Sequence, residues 1–351
     1  VMTVLYVLLA VLGISALIVL HEAGHMWVAR ALGMRVERFS VGFGPVVWST
    51  VRGGVEYAVS ALPLGGYVRI TGMAPGDDVA PDDRGAYCNQ AAWRRVLVLA
   101  AGPGANYLSA ILLAAMLLST LGLPNPDGSS RVGETTPDRP AARAGLRPGD
   151  RITSVGDQGV STWNDLVAAL QANPGRTVPL TVERGEGAAL TRLTLPITPD
   201  DVGGVGKVGA AAYAPRLRLP VGQAVVEGVT MTNRAAAQTL ALVAGMLRRE
   251  RKADAMGPLG IVEELVKGAQ AGADRYFTIV WNISVALALF NLLPIPALDG
   301  GRLVFLAWEL VTRRRVNERV ETWIHAAGFV ALIALILGVT VFKDLRRLLG
   351  W

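Results

Sequence analysis

Four stretches of the chain stay apolar long enough to cross a hydrocarbon core of about 30 Å, which takes roughly 20 helical residues. They lie near Val4–Ala31, Val96–Leu121, Tyr276–Leu293 and His325–Phe342. The third is the shortest and ends at Pro294 and Pro296, residues that break a helix. Non-helical backbone at membrane depth is tolerated only where protein or a wet cavity covers it, so this break points to a site. The pattern predicts a polytopic α-helical membrane protein with about four transmembrane helices.

Between the spans the period changes. Val55–Ser60 and Tyr67–Ile70 read as short strands around Leu62-Pro63-Leu64-Gly65-Gly66, a hairpin or curled β-loop. Residues 74–86 are acidic and rich in Pro and Gly, and are expected to be mobile. Residues 129–199 read as an independent α/β module, with strand-like Asp150–Val155 and Val178–Glu183 flanking a helical Trp163–Leu170. Residues 221–248 form an amphipathic helical stretch carrying Val225, Val229, Leu240, Val243 and Leu247. Asn233 and Arg234 make it too polar for a span, so it is expected on the membrane surface. The expected division is a membrane core over 1–121, the module over 122–200, a linker and amphipathic region over 201–275, and a second membrane core over 276–351.

Composition narrows the class. With 52% hydrophobic residues and a mean hydropathy of +0.40, the chain is too apolar for an ordinary soluble protein. The net charge of +6 comes mostly from Arg, and no dense basic run with interleaved aromatics marks a nucleic-acid surface. The basic excess reads as membrane topology, with the lipid bilayer as partner. Arg30, Arg35, Arg38, Arg52, Arg69, Arg94 and Arg95 follow the first span, and Arg302, Arg313, Arg314, Arg315 and Arg319 separate the third from the fourth. The positive-inside rule assigns both loops to the cytoplasm. Lys343, Arg346 and Arg347 then fall on the outer side and are fewer, and both termini and the 122–275 segment are expected outside. Val1–Leu20 lacks a basic n-region and a small-residue cleavage site, so it is expected as a retained span. Cys88 is the only cysteine, which excludes an internal disulfide and a cysteine-based zinc knuckle.

The chemistry sits in His21-Glu22-Ala23-Gly24-His25. Two imidazoles four residues apart project from one face of a helix and can bind one zinc ion, with Glu22 beside them to take a proton from metal-bound water. A catalytic zinc takes three protein ligands and leaves one position open. The third is sought in His325, the only other histidine, or in Asp299. Asp299 is the stronger candidate, because it follows the proline break where an unpartnered carboxylate is costly. Two histidines and a glutamate interrupting an apolar run would likewise be costly to bury unpaired.

Together with this motif, Asn291-Leu292-Leu293-Pro294-Ile295-Pro296-Ala297-Leu298-Asp299-Gly300-Gly301 makes the chain resemble the site-2 protease family, closest to the bacterial sigma-E regulator type. Gly42-Phe43-Gly44-Pro45, Pro63-Leu64-Gly65-Gly66-Tyr67-Val68 and Ala101-Gly102-Pro103-Gly104-Ala105-Asn106 carry the resemblance over most of the chain. It implies zinc ligation by His21, His25 and Asp299, and Glu22 as general base. It also implies a substrate-holding role for Asn291 and a membrane-associated β-loop at Gly65, Gly66, Tyr67 and Val68 that offers a strand edge to an unwound substrate helix. The plainer alternatives are an interhelical hydrogen bond for Asn291 and a tight turn at Gly65-Gly66. Asn106 is assigned to packing or interhelical hydrogen bonding.

The module resembles a PDZ domain in Ala141-Ala142-Arg143-Ala144-Gly145-Leu146-Arg147-Pro148-Gly149-Asp150-Arg151-Ile152, and the segment has room for one such domain. Such domains bind extended peptides or chain ends by strand addition. The resemblance implies an inner-membrane zinc metalloendopeptidase that cuts the transmembrane helix of a single-pass substrate such as an anti-sigma factor, with the PDZ-like domain extracytoplasmic and the active site toward the cytoplasm. The alternative, a catalytically inactive membrane-embedded PDZ scaffold or binding protein, predicts loss of Glu22 or of a metal ligand, and none is missing. A metalloprotease for soluble substrates would place zinc ligands in 129–275, which contains no histidine. A metal transporter would want more His, Asp or Glu across several spans.

Overall fold

The computed structural model describes residues 2–74, 76–124, 127–185, 187–248 and 257–341. The chain divides into two compact units, one formed by 1–121 with 219–351 and the other by Gly122–Arg218. Lys343, Arg346 and Arg347, and the expected end of the fourth span at Phe342, lie outside the described residues.

The first unit opens with α1 (Met2–Ala31), which is followed by two long strands, β1 (Val36–Arg52) and β2 (Val55–Ile70). The strands fold back on themselves. Residues 46–52 pair with 55–60, while 36–41 pair on one side with 56–59 and on the other with 66–70. The segment 66–70 is thereby left at a margin of the curled sheet, and it lies against α1. Helix α2 (Ala92–Met116) ends in a π-helical turn at Leu117–Leu121. The loop before it, expected to be mobile, carries several internal hydrogen bonds. Arg35 donates to Asp83 at 3.0 and 3.2 Å, the Gly72 amide donates to Asp77, and Asn89 donates to two loop carbonyls.

The second unit begins with the short strands β3 (Leu123–Pro124) and β4 (Val132–Thr135), then α3 (Pro140–Arg143), β5 (Arg151–Val155) and β6 (Gln158–Gly159). Helix α4 (Trp163–Gln171) starts at a capping box in which Thr162 and Asp165 satisfy each other's backbone amides. β7 (Val178–Arg184) and β8 (Thr191–Ile197) complete a four-stranded sheet of order β6-β5-β7-β8. Its core is built from Val132, Ile152, Leu166, Leu180, Val182 and Ile197, all nearly inaccessible. Residues 201–217, expected as linker, belong to this unit instead. They hold most of β9 (Asp200–Val202), then β10 (Val205–Lys207), β11 (Ala210–Ala212) and β12 (Arg216–Leu217), with β11 pairing to β4 and β12 to β3. Strands of two or three residues, rich in Gly and Ala, are too short to show an alternating pattern.

The chain then returns to the first unit with α5 (Val221–Leu247), α6 (Pro258–Ala271), α7 (Ala273–Leu292), α8 (Asp299–Thr312) and α9 (Glu318–Val339). The face of α5 differs from expectation. Val225, Val229 and Leu240 are exposed, while Ala224, Thr232 and Ala236 are buried. With Gly228 they form a stripe of small side chains: a Cβ on Gly228 would stand 3.0 Å from the Ile111 carbonyl of α2, Ala236 clusters with Ala110 and Ala114 of α2, and Thr232 accepts from Trp281 of α7 at 3.2 Å. Small residues let helices approach closely, and the large apolar side chains are left facing outward. α5 therefore packs into the helix assembly instead of standing apart on a surface.

Among the described residues, four helices are long and apolar enough to cross a membrane, at Met2–Ala31, Ala92–Leu121, Ala273–Leu292 and Arg319–Val339. Exposed Val4, Leu5, Leu8 and Leu12 on α1 and exposed Phe329, Val330 and Leu335 on α9 match a lipid-facing surface. The first unit is thus a polytopic membrane fold. Buried Met26, Phe39, Ile70, Val98, Leu99 and Leu306 join α1, the curled sheet, α2 and α8 in one core. Arg95 of α2 and Glu309 of α8 add a largely buried ion pair at 2.5 Å.

Candidate metal centre and active site

Helical geometry puts His21 and His25 on one face of α1, both buried at 6% and 3% exposure, with Glu22 beside them. Asp299 arrives from far along the chain. α7 stops at Leu292, the segment with Pro294 and Pro296 turns the chain, and α8 begins at Asp299. The turn is tight. Ala297 adopts a φ of 78°, and a Cβ on Gly301 would lie 2.5 Å from the Ile295 carbonyl oxygen, so only glycine permits this approach. His325, the other candidate for third ligand, is used here: its Nδ1 accepts from the Ala297 amide at 3.0 Å.

His21 Nε2 lies 2.9 Å and His25 Nε2 3.4 Å from Asp299 Oδ2, and the two Nε2 atoms are 3.2 Å apart. Among the described residues these three are the only such group whose donor atoms converge, all within 4.8 Å of one another. His25 Nδ1 meets the Val98 carbonyl at 2.7 Å. A carbonyl only accepts, so Nδ1 carries the proton and Nε2 turns its lone pair toward the other two donors. Two imidazole nitrogens and a carboxylate oxygen, with one position left over, are a donor set that fits zinc.

The β2 residues singled out from the sequence run alongside. Gly65, with a φ of 98°, packs against Ile18 and Phe43, and its amide lies 3.4 Å from Ser15 Oγ, which itself donates to the Pro63 carbonyl at 2.5 Å. Gly66 pairs with Val41, and its missing Cβ leaves space for the Ser40 carbonyl. Tyr67 stacks on Phe43 and accepts from Arg38. The Val68 amide donates to Glu22 Oε2 at 3.1 Å. Asn291 stands apart from this group: its Nδ2 donates to Leu287, one turn back in α7, at 2.9 Å.

Two residues of α2 line the site: Gly102, which gained no role from the sequence, and Asn106, which makes an interhelical hydrogen bond of the kind expected for it. A Cβ on Gly102 would run into His25 Nε2 and come within 2.7 Å of His21 Nε2, so this glycine makes the space in which the imidazoles sit. Asn106, completely buried, brings its side-chain amide within 3.3 Å of His21 Nδ1. A polar residue inside an apolar span was the available signal, since such residues are costly there unless partnered.

Comparison with known proteins matches residues 9–335 to the family described as Peptidase family M50. The chain is 35% identical to the zinc metalloprotease Rip1 of Mycobacterium tuberculosis, over 93% of this chain and 91% of that protein. It is 32% identical to the metalloprotease MmpA of Caulobacter vibrioides, over 95% and 94%. It is 29% identical to the regulator of sigma-E protease RseP of Salmonella typhimurium, over 96% and 98%.

Proposed function

The chain belongs to peptidase family M50 and is a zinc metalloprotease, and on that premise we propose that the bond it cuts lies inside the membrane. In this reading it is an intramembrane endopeptidase of the inner membrane. It cleaves the transmembrane segment of single-pass proteins, such as anti-sigma factors, in regulated intramembrane proteolysis. The observation that carries the reading is the site's depth: His21, His25 and Glu22 sit on α1, a helix apolar enough to span, with Asp299 brought against them from α8 and a strand margin packed along α1. The histidines lie nearer the Arg30 end of α1, which the positive-inside rule assigns to the cytoplasm.

His21, His25 and Asp299 hold the zinc, and Glu22 is the general base. When bound, zinc polarises the scissile carbonyl and lowers the pKa of an adjacent water toward neutrality. Glu22 takes that water's proton and passes it to the leaving amine. Its Oε2 is already fixed by the Val68 amide, so the base is oriented by the same strand that would receive substrate. A helical substrate hides its peptide bonds and must be extended before attack. Pairing with Gly65, Gly66, Tyr67 and Val68 would satisfy the backbone groups thereby freed, and Asn291 would help hold the extended strand.

The Gly122–Arg218 unit is read as the PDZ-like domain, on the outer side. Between α4 and the β10–β11 segment it has a cavity of about 230 Å³ lined by Ile152, Trp163, Leu166, Leu170 and Val208. That lining suits an apolar side chain of a peptide or chain end added along a strand. The test of the whole reading is Glu22→Gln in liposomes with a single-pass substrate. The variant should keep its zinc and lose at least about 100-fold in cleavage rate. Turnover at the wild-type rate would remove Glu22 as the base, and cleavage confined to extramembrane segments would overturn the intramembrane reading.

A further inference from the structure

We propose that Asn106 is a positioning residue whose side-chain amide selects the His21 tautomer that can bind zinc. The proposal rests on the reading of His21 as a ligand. His21 presents Nε2 to Asp299 and His25, so its other nitrogen, Nδ1, is the only handle by which the protein can orient the ring. The group at that handle is Asn106.

The amide faces Nδ1 through Nδ2 at 3.3 Å, while Asn106 Oδ1 is buried with no hydrogen-bond partner. An unsatisfied buried acceptor is disfavoured, and an amide can exchange its oxygen and nitrogen by a half-turn. The two orientations serve two states of the ring. With Nδ2 toward Nδ1, the imidazole proton is on Nε2 and points to Asp299. With Oδ1 toward Nδ1, the proton is on Nδ1, and the Nε2 lone pair is free for the metal. Only the second allows ligation, and it also gives the orphaned oxygen its donor. His25 reaches the same state by a different route, through the Val98 carbonyl, which accepts and cannot donate.

The surroundings hold Asn106 for this task. Its side chain sits at 0% exposure on α2, four residues from Gly102, and its own backbone carbonyl accepts from Ser109 and Ser284, each at 2.9 Å. Those hydroxyls tie α7 to α2 at this turn, so the amide can turn about its own axis while its Cα stays fixed.

The test measures zinc affinity of the full chain in detergent by competition with a chromophoric chelator. The variants are Asn106→Leu, Asn106→Asp and His21→Ala, and melting of each zinc-free variant serves as the folding control. Asn106→Leu should lose about 10–100-fold in zinc affinity, the range for removing a partner of a ligating histidine. Asn106→Asp, which offers only acceptors, should bind at least as tightly as wild type. The chain has three histidines, so labelling them with ¹⁵N should give a resolvable His21 Nδ1 proton in the zinc-loaded wild type, slow to exchange with water.

If Asn106→Leu binds within threefold of wild type while His21→Ala has lost zinc, the proposal fails and the ligand assignment stands. If His21→Ala binds like wild type, both fall. Equal losses in Asn106→Leu and Asn106→Asp would show that the acceptor is not what matters. Should Asn106→Leu fail to fold, the wild-type Nδ1 proton decides, because its absence in the loaded protein overturns the proposal.

Discussion

Gly102→Ala sets two effects of known size against each other. In an exposed helix interior, exchanging glycine for alanine stabilises by about 0.5–1 kcal/mol, because alanine has less backbone freedom to lose on folding. At position 102 the new methyl would overlap His25 Nε2 and stand 2.6 Å from His25 Cε1 and 2.7 Å from His21 Nε2. The backbone of α2 cannot yield, since the Ala101 carbonyl already lies against the Gly24 position of α1, so the imidazoles must turn away. Overpacking of this kind costs about 1–3 kcal/mol, so the zinc-free protein should be destabilised by about 0–2.5 kcal/mol and still fold. Zinc binding suffers far more, because the displaced atoms are the proposed ligand nitrogens and His25 is pinned at its other nitrogen by Val98. A loss of two decades or more in affinity follows from about 3 kcal/mol of displaced geometry. Chelator competition and metal analysis of the purified variant measure this. Gly104→Ala is the control on the same helix, since a Cβ there meets nothing within 4 Å, and it should keep full zinc content and melt no lower than wild type. Zinc affinity in Gly102→Ala within threefold of wild type would refute the argument that α2 forms the floor of the metal site.

Other perturbations test other contacts. Asp299→Asn should reduce zinc content sharply in metal analysis, and retention of wild-type affinity would remove Asp299 from the ligand set. Glu309→Gln leaves Arg95 buried without its carboxylate, and should cost about 3 kcal/mol, near the low end for breaking a buried pair because Arg315 also lies near Glu309; thermal unfolding in detergent reads the loss, and Arg95→Met with Glu309→Leu should restore much of it. In the second unit, Arg184→Met removes the cation bonded at 2.7 Å to Asp150, which is 1% exposed and keeps the Arg147 amide, so residues 122–218 should lose protection from hydrogen exchange in the intact chain. The Asp83 carboxyl is held below its ordinary value by the Gly85 amide and by Arg35, so its contribution is present above the ordinary carboxylate pKa of about 3.9 and is lost as pH falls through the lower folded value. Exchange of the Gly85 amide should therefore accelerate, beyond its intrinsic pH dependence, only in strong acid.

What the sequence made legible divides by range along the chain. The spacing of His21, Glu22 and His25 is local, and a helix converts it directly into a shared face. The four apolar helices are equally local, because length and composition decide whether a segment can span. Asp299 required one long-range step, and the proline break supplied the hint by marking a place where chain leaves a helix beside a carboxylate. The rest depended on close approach, which composition does not encode. Large Val and Leu side chains on α5 attract attention as the apolar face of an amphipathic helix, and in a membrane they suit lipid, while the close approach to α2 is made at small residues such as Gly228 and Ala236. Gly102 is likewise informative only once another helix is known to face it.

The same reasoning explains why Glu22 and the strand margin could not be joined from sequence. Glu22 and Val68 are 46 residues apart, and neither residue type announces the other. Their contact arises because β2 passes its Pro63–Val68 segment along α1, with Ser15 holding the Pro63 carbonyl and the Gly65 amide about two helical turns before Glu22. Ser15 is itself buried at 7% exposure in the apolar stretch of α1 that precedes His21, so its hydroxyl is costly unless it makes these bonds. Replacing it with valine keeps the volume and removes the clasp. If the clasp sets the height of the strand against the base, Ser15→Val should leave zinc affinity unchanged, because no proposed ligand moves, and should lower the rate for an extended transmembrane substrate. A variant that cleaves at the wild-type rate with wild-type zinc would show that the strand is held by the curled sheet alone.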